Sequence, residues 1–439
     1  MTVTSSASWD FIRAVRQQDP GRHPWLRFGT IVGVTMGSLR TDYDVIVAGL
    51  GGMGSAAAFH LARAGQRVLG LDSFGRGHDR GSSHGRSRII REAYYEAPEY
   101  VPLVRRAYAL WRELEAESGK RLLQITGGLT IGPQDGELVQ GVKTSAAQHG
   151  IEIDMLDARQ VARRFPPYCL PDTLAAAYEG NAGILDPEAC VAAHCDLAIQ
   201  AGAELRFAEP VEHWDVDAGG VRVRTAQGSC YRAPRLVIAA GAWASALIGQ
   251  AGPPLEVWRV LNVHFAPGAP GQPEHFTPQR CPVFIWQVPE GWYYGMVGDV
   301  QHGVKFGRHD VGERCTPQTI RRTVDDAEVE ALQAVLNRYL PGAGTRVSST
   351  LTCMYTLTPD RHFVVDRHPV HHNVVYGCGF SGHGFKFCSA IGEALAALAL
   401  ERVPPYPIEF LSARRFFRSD ENGTPGYATA ARANPPAVE

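Results

Sequence analysis

The stretch Asp44-Val45-Ile46-Val47-Ala48-Gly49-Leu50-Gly51-Gly52-Met53-Gly54 decides the fold of this chain. Residues 45–48 are apolar and mostly β-branched, as in a buried parallel strand. A helical pattern at 55–64 follows the glycines and ends at Gly65, and a second strand at 67–71 ends at Asp72. This order of strand, glycine turn, helix, strand and acidic residue predicts a dinucleotide-binding fold.

Each glycine of this motif has its own expected role. Gly49 permits the tight turn, Gly51 lets the backbone approach a pyrophosphate, and Gly54 allows close packing of helix and strand. The helix N-terminus offers amides and a positive dipole end to the phosphates, and Asp72 is expected to accept hydrogen bonds from ribose hydroxyls. The motif alone does not separate NAD from FAD. The cofactor-binding residues expected here are Gly49, Gly51, Gly52, Met53, Gly54 and Asp72.

The composition is that of a globular protein and excludes several classes of function. The chain has 439 residues, 45% of them hydrophobic and 20% charged, so two or three domains are expected. Its 43 basic and 45 acidic residues leave a net charge of −2, which argues against a nucleic-acid partner. No apolar run is long enough for a membrane helix. The 9 cysteines lack CxxC pairs, so neither a disulfide framework nor a metal site is expected. Cysteines without disulfides are typical of a reducing compartment, so a cytoplasmic location is expected.

The two ends of the chain carry little pattern. Residues 1–40 lack the layout of a signal peptide, and we expect a weakly ordered N-terminal extension. A start of translation at Met36, just before the first strand, is a further hypothesis. Residues 421–439 are rich in Gly, Pro, Ala and Asn and are expected to form a flexible tail.

Later segments favour FAD over NAD. Residues 81–91 form a polar, glycine-rich stretch where an NAD-binding fold would continue into another strand and helix. The buried strand at 235–240, which runs into Gly241, is expected to return to the same sheet. Residues 374–387 predict a strand and a glycine-rich turn, with a helix from about 387 to 400 that places a second helix N-terminus at the ligand. The dinucleotide domain is therefore predicted to be discontinuous.

Four motifs carry a resemblance to a known family. Gly-Phe-Ser-Gly-His-Gly-Phe-Lys-Phe stands at 379–387, Cys-Met-Tyr-Thr at 353–356, Arg-Ile-Ile-Arg at 88–91, and Tyr-Tyr-Gly at 293–295, with Lys305 following. From about residue 43 to 418 the chain resembles the monomeric sarcosine oxidase family, which includes N-methyltryptophan oxidase and pipecolate oxidase. These are FAD-dependent amine oxidases of the D-amino-acid-oxidase superfamily.

The resemblance implies an α/β (α+β) architecture. A glutathione-reductase-like, FAD-binding Rossmann domain would be interleaved with a substrate domain built on a mostly antiparallel sheet. Three segments are assigned to the FAD-binding domain: 41–122, 185–256 and 360–401. Three others are assigned to the substrate and catalytic domain: 123–184, 257–359 and 402–420. In this domain Pro289-Glu290-Gly291 predicts a hairpin turn, and a helix is expected to open at Asp325-Asp326-Ala327-Glu328, with acids in its first turn, and to stop at Pro341-Gly342.

The resemblance also implies roles for four principal residues. Cys353 would hold FAD through a thioether to the flavin 8α-methyl carbon, although most free cysteines are only small buried hydrophobes. Lys305 would lie against the flavin and stabilise the negative charge that develops on O₂, whereas an unassigned lysine is usually exposed. Arg91 and Lys386 would hold the substrate carboxylate. Such a cationic site would favour the neutral substrate amine, so that no dedicated general base is required.

Further site residues follow from the same resemblance. Tyr294 and Tyr355 would pack around the substrate. His309 would lie in the pocket and His84 near the flavin, although a structural role is nearly as common for a histidine. The remaining residues expected near the flavin or its pyrophosphate are Ser87, Arg88, Gly241, Trp243, Gly382 and Gly384.

The chain departs from the family pattern at several positions that bear on the substrate. In the loop before Arg88, Ser83 replaces a histidine, Arg86 an aspartate and Ser87 a threonine. Arg308 replaces an aromatic residue between Lys305 and His309. Three tryptophans of the predicted substrate sheet could line a pocket or fill a core: Trp258, Trp286 and Trp292.

The sequence is compatible with three functions. The first is an FAD-dependent oxidase of a secondary amino acid, N-methylated or cyclic, which uses O₂ and forms an imine and hydrogen peroxide. A specialised oxidase of a cyclic imino acid or biosynthetic intermediate is a variant of it. The second is a dehydrogenase of the same fold that passes electrons to a carrier, and Lys305 discriminates the two. The third, a non-enzymatic dinucleotide-binding module, leaves the cationic residues unexplained. A monomer is expected.

Overall fold

The computed structural model describes residues 43–266, 275–298, 302–419 and 425–427. The predicted N-terminal extension, the hypothetical start at Met36 and most of the predicted tail lie outside these residues. The chain from residue 43 onward alternates strands and helices before it turns to long strands in its second half.

The strands are numbered in chain order. They are β1 (Val45–Ala48), β2 (Val68–Leu71), β3 (Arg88–Ile90), β4 (Leu123–Ile125), β5 (Gly128–Pro133), β6 (Asp154–Asp157), β7 (Leu174–Glu179), β8 (Gly183–Leu185), β9 (Glu204–Arg206), β10 (Val211–Asp217), β11 (Gly220–Thr225), β12 (Cys230–Ala233), β13 (Arg235–Ile238), β14 (Glu256–Ala266), β15 (Val283–Val288), β16 (Gly291–Val297), β17 (Val304–Arg308), β18 (Glu313–Cys315), β19 (Arg346–Leu357), β20 (Val364–Arg367), β21 (Val374–Cys378), β22 (Phe417–Ser419) and β23 (Pro425–Tyr427).

The α-helices are numbered in the same way. They are α1 (Gly52–Arg63), α2 (Tyr100–Ser118), α3 (Glu137–His149), α4 (Ala158–Arg164), α5 (Pro187–Gln200), α6 (Ala244–Ile248), α7 (Asp326–Tyr339) and α8 (Cys388–Ala399). Short 3₁₀ turns at Gly241–Trp243 and Phe385–Phe387 come directly before α6 and α8.

A six-stranded sheet confirms the predicted dinucleotide-binding fold. Its order is β20-β21-β13-β1-β2-β9, and its strands are parallel except for the edge strand β20. The strand expected near 235–240 pairs directly with β1, as a later strand of the same sheet. The helix expected from about 387 is α8, which packs on α1.

The composition of β1 follows from its burial on both faces. Successive side chains of a strand point to opposite faces. Val45 and Val47 belong to the core formed with α1, α2, α5 and α8. Ile46 and Ala48 belong to the core on the other face, which includes residues of β11 in the antiparallel sheet β10-β11-β12. All four side chains are at most 1% exposed, which explains why the strand is apolar throughout.

A second large sheet confirms the predicted antiparallel arrangement. Along its path the order is β18-β14-β17-β16-β15-β5-β7-β6, with β19 also paired to β14. Among the described strands of this sheet, β15 and β5 form the one parallel pair. The expected hairpin through Pro289-Glu290-Gly291 is present, because β15 and β16 pair antiparallel on either side of it. Helix α7 covers the core face of this sheet.

The predicted start and end of α7 are also confirmed. The Asp325 side chain accepts a bond from the backbone of Glu328, whose own side chain reaches back to the Asp325 amide. This capping box satisfies amides that a helix start leaves without partners. The helix ends at Tyr339, just before Pro341. The boundaries of the two interleaved domains remain a prediction. Within the described ranges, no helix is long and apolar enough to span a membrane.

Two buried histidines make the fold sensitive to acid. His60 on α1 and His194 on α5 both lie near Phe59, and each has one ring nitrogen without a hydrogen-bond partner. Burial lowers the pKa of His60 to about 4 and that of His194 to about 3. The unfolded chain binds these protons near pH 6.5 and the folded chain does not, so stability is full above pH 6.5 and falls below it.

We therefore expect the His194→Leu variant to be less sensitive to acid than the parent. Between pH 7 and pH 5, the parent should lose roughly 2 kcal/mol of unfolding free energy through this one histidine. Urea unfolding followed by tryptophan fluorescence at both pH values measures the difference. An equal loss in parent and variant would contradict the assignment.

Candidate active site

A pocket of about 330 Å³ lies between the carboxyl end of β1 and the second large sheet. It brings together most of the residues singled out from the sequence, although they come from distant parts of the chain. Those that line it are Gly49, Gly51, Gly52, Met53, Asp72, Ser87, Arg88, Arg91, Gly241, Trp243, Tyr294, Lys305, His309, Cys353, Tyr355, Gly382, Gly384 and Lys386. Gly54 and His84 do not line the pocket.

The glycine turn leaves backbone exposed to the pocket. Gly49 has a φ of +95°, and a Cβ there would lie 2.5 Å from the carbonyl oxygen of Ala239, so only glycine fits. A Cβ on Gly54 would lie 1.7 Å from the Gly49 oxygen, so this glycine supports the turn from behind. Gly51 differs, because its Cβ would meet only the Ser83 hydroxyl, at 3.4 Å. Gly51 has no side chain that could cap α1, so the first-turn amides other than that of Gly52, which donates to the Ser83 hydroxyl, are available to an anion.

Asp72 has a structural role that the sequence did not predict. Its carboxylate accepts the amide of Leu50 at 2.7 Å and the amide of Phe74 at 2.9 Å. These bonds tie the glycine turn after β1 to the end of β2. Asp72 still lines the pocket, so its expected contact with a ribose remains a prediction that is compatible with this geometry.

The 3₁₀ turns before α6 and α8 form two further walls. Gly382 has a φ of +83°, and a Cβ there would lie 2.5 Å from the Tyr355 ring. Gly384 is packed as tightly, with its Cβ position 2.5 Å from Phe380. On the opposite side, Trp243 contacts Phe74 with ring centroids 5.4 Å apart. These close approaches explain Gly382 and Gly384, whereas a Cβ on Gly241 would meet nothing within 4 Å and a φ of +54° is what favours glycine there.

Strand alternation places Lys305 in the pocket. Val304 and Phe306 are fully buried in the core between the second sheet and α7, so the residue between them faces the other way. The Lys305 ammonium is 2% exposed and donates to the carbonyl oxygens of Gly85 at 2.9 Å and Ser87 at 3.0 Å. Burial, and next the charge of Arg88, hold its pKa well below the ordinary value. Lys305 is therefore a buried lysine of the pocket and not an exposed surface lysine.

Cys353 lies on β19 with its thiol in a cationic environment. Burial by itself would raise the pKa of the thiol, but a hydrogen bond from His84 and the charges of Arg88 and Lys305 lower it to about 7. His84 therefore affects the pocket by lowering the pKa of the Cys353 thiol, although it does not line the pocket itself. The Nε2 of His84 lies 3.1 Å from the carbonyl oxygen of Gly81. A substantial thiolate fraction at neutral pH distinguishes a reactive cysteine from a packing cysteine.

The loop before β3 explains two departures from the family pattern. The Ser83 hydroxyl accepts the amide of Gly52 at 3.0 Å, so the serine supports the start of α1. Arg86 has a φ of +65°, and its amide donates to the carboxylate of Glu188. The Arg88 guanidinium is held by the carbonyl oxygens of Ser82 and Ser87, at 2.9 and 2.8 Å.

Arg91 is paired with a carboxylate of the chain itself. Its guanidinium donates to both oxygens of Glu96, at 2.8 and 2.6 Å, and to the Ala93 carbonyl at 3.0 Å. Its Nε has no hydrogen-bond partner although it is buried. Burial by itself would raise the pKa of Glu96, but the charge of Arg91 lowers it to about 2. No local pattern in the sequence marks Glu96 as the partner of Arg91.

Lys386 lies beside this pair. Its ammonium donates to the His383 carbonyl at 2.6 Å and to the Tyr94 hydroxyl at 3.5 Å, which leaves a third N–H for a ligand. Burial, and next the charge of Arg91, lower its pKa to about 7. Together with Glu96, this reduces the strongly cationic character that the sequence predicted for the site.

A chain of polar side chains forms another wall of the pocket. The His309 Nδ1 lies 3.3 Å from the Tyr355 hydroxyl, which donates to the Tyr294 hydroxyl at 3.4 Å. The Tyr294 hydroxyl donates in turn to the Asn262 Oδ1 at 2.7 Å. Asn262 was missed from the sequence, although an amide between two apolar residues of a strand could have identified it. Other lining residues that were missed include Tyr95, Glu96, Ile285 and Met296.

The structure also places the residues whose roles were left open. Trp286 is fully buried in the core, Trp258 packs beside the cluster of Cys353 and Tyr355, and Trp292 contacts Tyr95 with ring centroids 5.6 Å apart. None of the three lines the pocket. Arg308 does not line it either, because it pairs with Asp310 at 2.8 Å.

Comparison with known proteins shows similarity over most of the chain. The family model described as FAD dependent oxidoreductase matches residues 44–398. A monomeric sarcosine oxidase of Streptomyces avermitilis is 45% identical over 381 residues, which cover 85% of this chain and 97% of that protein. An N-methyl-L-tryptophan oxidase of Yersinia pestis is 35% identical over 381 residues, which cover 85% of this chain and 100% of that protein.

Solved structures show the same fold. NikD, an unusual amino acid oxidase essential for nikkomycin biosynthesis, superposes with a TM-score of 0.74 and 26% identity over 84% of this chain and 97% of NikD. L-proline dehydrogenase from P. horikoshii has a TM-score of 0.74 at 22% identity, over 86% of this chain and 98% of that chain. At 22% identity, the similarity to L-proline dehydrogenase shows a shared fold only.

Proposed function

Because this chain belongs to the family of FAD-dependent oxidoreductases, we propose that it is an oxidase of secondary amino acids, either N-methylated or cyclic. The products are the imine, which water converts to an aldehyde and an amine when the substrate is N-methylated, and hydrogen peroxide. The observation that carries the proposal is the pair of buried cations, Arg91 and Lys386, in the same pocket as the buried Lys305.

The residues around the pocket fit FAD. Gly51 exposes backbone at the start of α1, where a pyrophosphate would accept amide hydrogen bonds. Asp72 lies at the end of β2, where the ribose hydroxyls of a dinucleotide would be. FAD supplies the two-electron chemistry, since it accepts hydride from the carbon next to the substrate amine and passes the electrons to O₂. We further propose that Cys353 holds FAD covalently, because its thiol has a lowered pKa.

Arg91 and Lys386 are proposed to hold the substrate carboxylate. Among the residues that the structure describes, Lys386 keeps one N–H free of acceptors, and the buried Nε of Arg91 has no partner. A carboxylate at this position would satisfy both donors. Glu96 neutralises part of the charge of Arg91, so the site binds one carboxylate without holding an uncompensated cation pair.

Lys305 is proposed to assist the reaction with O₂. Its fixed, buried cation would stabilise the negative charge that develops when an electron reaches O₂. A second cavity, of about 350 Å³, shares Ser87 and Lys305 with the first. This cavity is the proposed side from which oxygen approaches Lys305, because neither Arg91 nor Lys386 lines it. A monomeric state and a cytoplasmic location remain predictions.

A peroxide assay with four amines tests the proposed function. We expect the purified yellow protein to oxidise at least one of sarcosine, N-methyltryptophan, proline and pipecolate, with one hydrogen peroxide formed per O₂ consumed. A coupled peroxidase assay and an oxygen electrode measure the two quantities. Failure of all four amines to reduce the flavin under anaerobic conditions would overturn the proposal.

The Lys386→Met variant tests the proposed binding of the substrate carboxylate. Loss of a charge-assisted hydrogen bond should raise KM for the preferred amine by roughly 10- to 100-fold. Lys143→Met removes a lysine that lies outside the pocket and should leave KM unchanged.

A further inference from the structure

The wall of the pocket contains one amide side chain, which lies between two apolar neighbours on strand β14. Asn262 lies on β14 between Leu261 and Val263, and Val263 is fully buried in the core under the second sheet. Alternation along the strand turns Asn262 to the pocket side, where it is 4% exposed. A buried amide at this place loses hydration, so it has to be compensated by specific hydrogen bonds.

The hydrogen bonds of Asn262 impose a direction on the polar chain. Its Oδ1 can only accept, so the Tyr294 proton lies on the bond between them, at 2.7 Å. The Tyr294 oxygen is then left as an acceptor for the Tyr355 proton, at 3.4 Å. Toward His309, the Tyr355 oxygen can likewise only accept, so Nδ1 of the imidazole carries a proton.

This direction determines the tautomer of His309. Burial lowers the pKa of His309 to about 4, so the ring is neutral and carries a single proton. With that proton on Nδ1, Nε2 keeps its lone pair. Nε2 forms no hydrogen bond with any of the described residues, and His309 lines the pocket.

We propose that Asn262 is a positioning residue that, through Tyr294 and Tyr355, keeps the Nε2 of His309 as a hydrogen-bond acceptor for the N–H of the substrate amine. The inference rests on the proposed function and deepens it, because it assigns recognition of the amine to a part of the pocket separate from Arg91 and Lys386. Substrates with an amine N–H are then preferred over carboxylates of the same shape without one.

The experiment compares two ligands that differ in this N–H. Sarcosine and (methylthio)acetate share a carboxylate and a methyl group, but sulfur replaces the amine in the second. If pipecolate is the substrate, thiane-2-carboxylate is its matched partner. The half-saturating concentration for anaerobic flavin reduction measures binding of the amine, and the change in flavin absorbance on titration measures binding of the thioether.

The Asn262→Leu variant should separate the two ligands. We expect binding of the amine to weaken by about tenfold, as for the loss of one hydrogen bond, and binding of the thioether to change by less than about twofold. In a Tyr294→Phe background the same substitution should have no further effect, because the chain is already broken. Val263→Ala disturbs the same strand from its core side and should not separate the two ligands.

Two results would overturn the inference. Equal weakening of both ligands in Asn262→Leu would indicate general damage to the pocket, and additive effects of the two substitutions would show that Asn262 does not act through Tyr294. Failure of the proposed function has a different signature, because the parent protein itself would then oxidise no secondary amine.

Discussion

Replacing Lys305 by Met is expected to slow the reaction of the reduced enzyme with O₂ by roughly 10²- to 10³-fold. The ammonium is buried and held in place by the carbonyl oxygens of Gly85 and Ser87, so its charge is oriented before the reaction begins. Methionine fills a similar volume but carries no charge. Reduction of the flavin by substrate should change far less, because the carboxylate contacts of Arg91 and Lys386 remain.

Stopped-flow spectroscopy separates the two half-reactions. The reduced protein is mixed with O₂ to follow reoxidation, and the oxidised protein is mixed with the amine under anaerobic conditions to follow reduction. Lys143→Met is the matched control, since this lysine lies on α3, away from the pocket. Equal slowing of both half-reactions would contradict the role of Lys305. Slow reoxidation in the parent, with rapid transfer to an artificial acceptor, would favour a dehydrogenase.

The pH dependence of reoxidation follows from the same environment. Burial and the charge of Arg88 hold the pKa of Lys305 below its ordinary value, while a Cys353 thiolate raises it. A thioether at Cys353 would remove that thiolate and so lower the pKa of Lys305 further. Only the protonated lysine carries the charge, so reoxidation is expected to slow as the pH rises through the lowered pKa.

Replacing Cys353 by Ala is expected to abolish covalent attachment of the flavin. The thiol has a pKa of about 7 because His84, Arg88 and Lys305 favour its thiolate, and the thiolate is the form that bonds to carbon. In the parent protein the flavin should stay with the chain after acid precipitation. In the variant it should remain in the supernatant, as measured by flavin absorbance of both fractions and by fluorescence of a denaturing gel.

Cys388 provides a matched control in the same pocket. It is 1% exposed and lies beside the glycine turn, where a Cβ on Gly52 would be 2.4 Å from its sulfur. Burial raises the pKa of its thiol well above the ordinary value, so it remains protonated at neutral pH. The Cys388→Ser variant should therefore keep the flavin attached. Attachment that survives in Cys353→Ala, or disappears in Cys388→Ser, would refute the assignment of Cys353.

Local patterns in the sequence were sufficient for the elements that surround the glycine motif. The strand at 45–48 is apolar on both faces because each face is covered, and this pattern is visible before any tertiary contact is known. The acidic first turn of α7 and the turn at Pro289-Glu290-Gly291 were identified in the same way. Such signals depend on neighbours in the chain, which the sequence contains in full.

The environment of the site residues could not be predicted in the same way. Glu96 pairs with Arg91, Ser83 supports the start of α1, and Asn262 accepts from Tyr294 across 32 positions of the chain. Each contact depends on which strands become neighbours in a sheet and which loops meet above it. No residue type or spacing along the chain encodes those distances.

By itself the sequence indicated the dinucleotide fold and, through its motifs, the resemblance to the family, because motifs and strand alternation are local properties, and most of the residues singled out from it line the pocket. Only the tertiary structure decided how those residues are charged and connected. It placed a carboxylate against Arg91, lowered the pKa of Cys353 through three distant neighbours, and set the direction of the hydrogen bonds from Asn262 to His309. Burial and hydrogen-bond direction depend on positions in space, and these arise only when separate segments of the chain pack together.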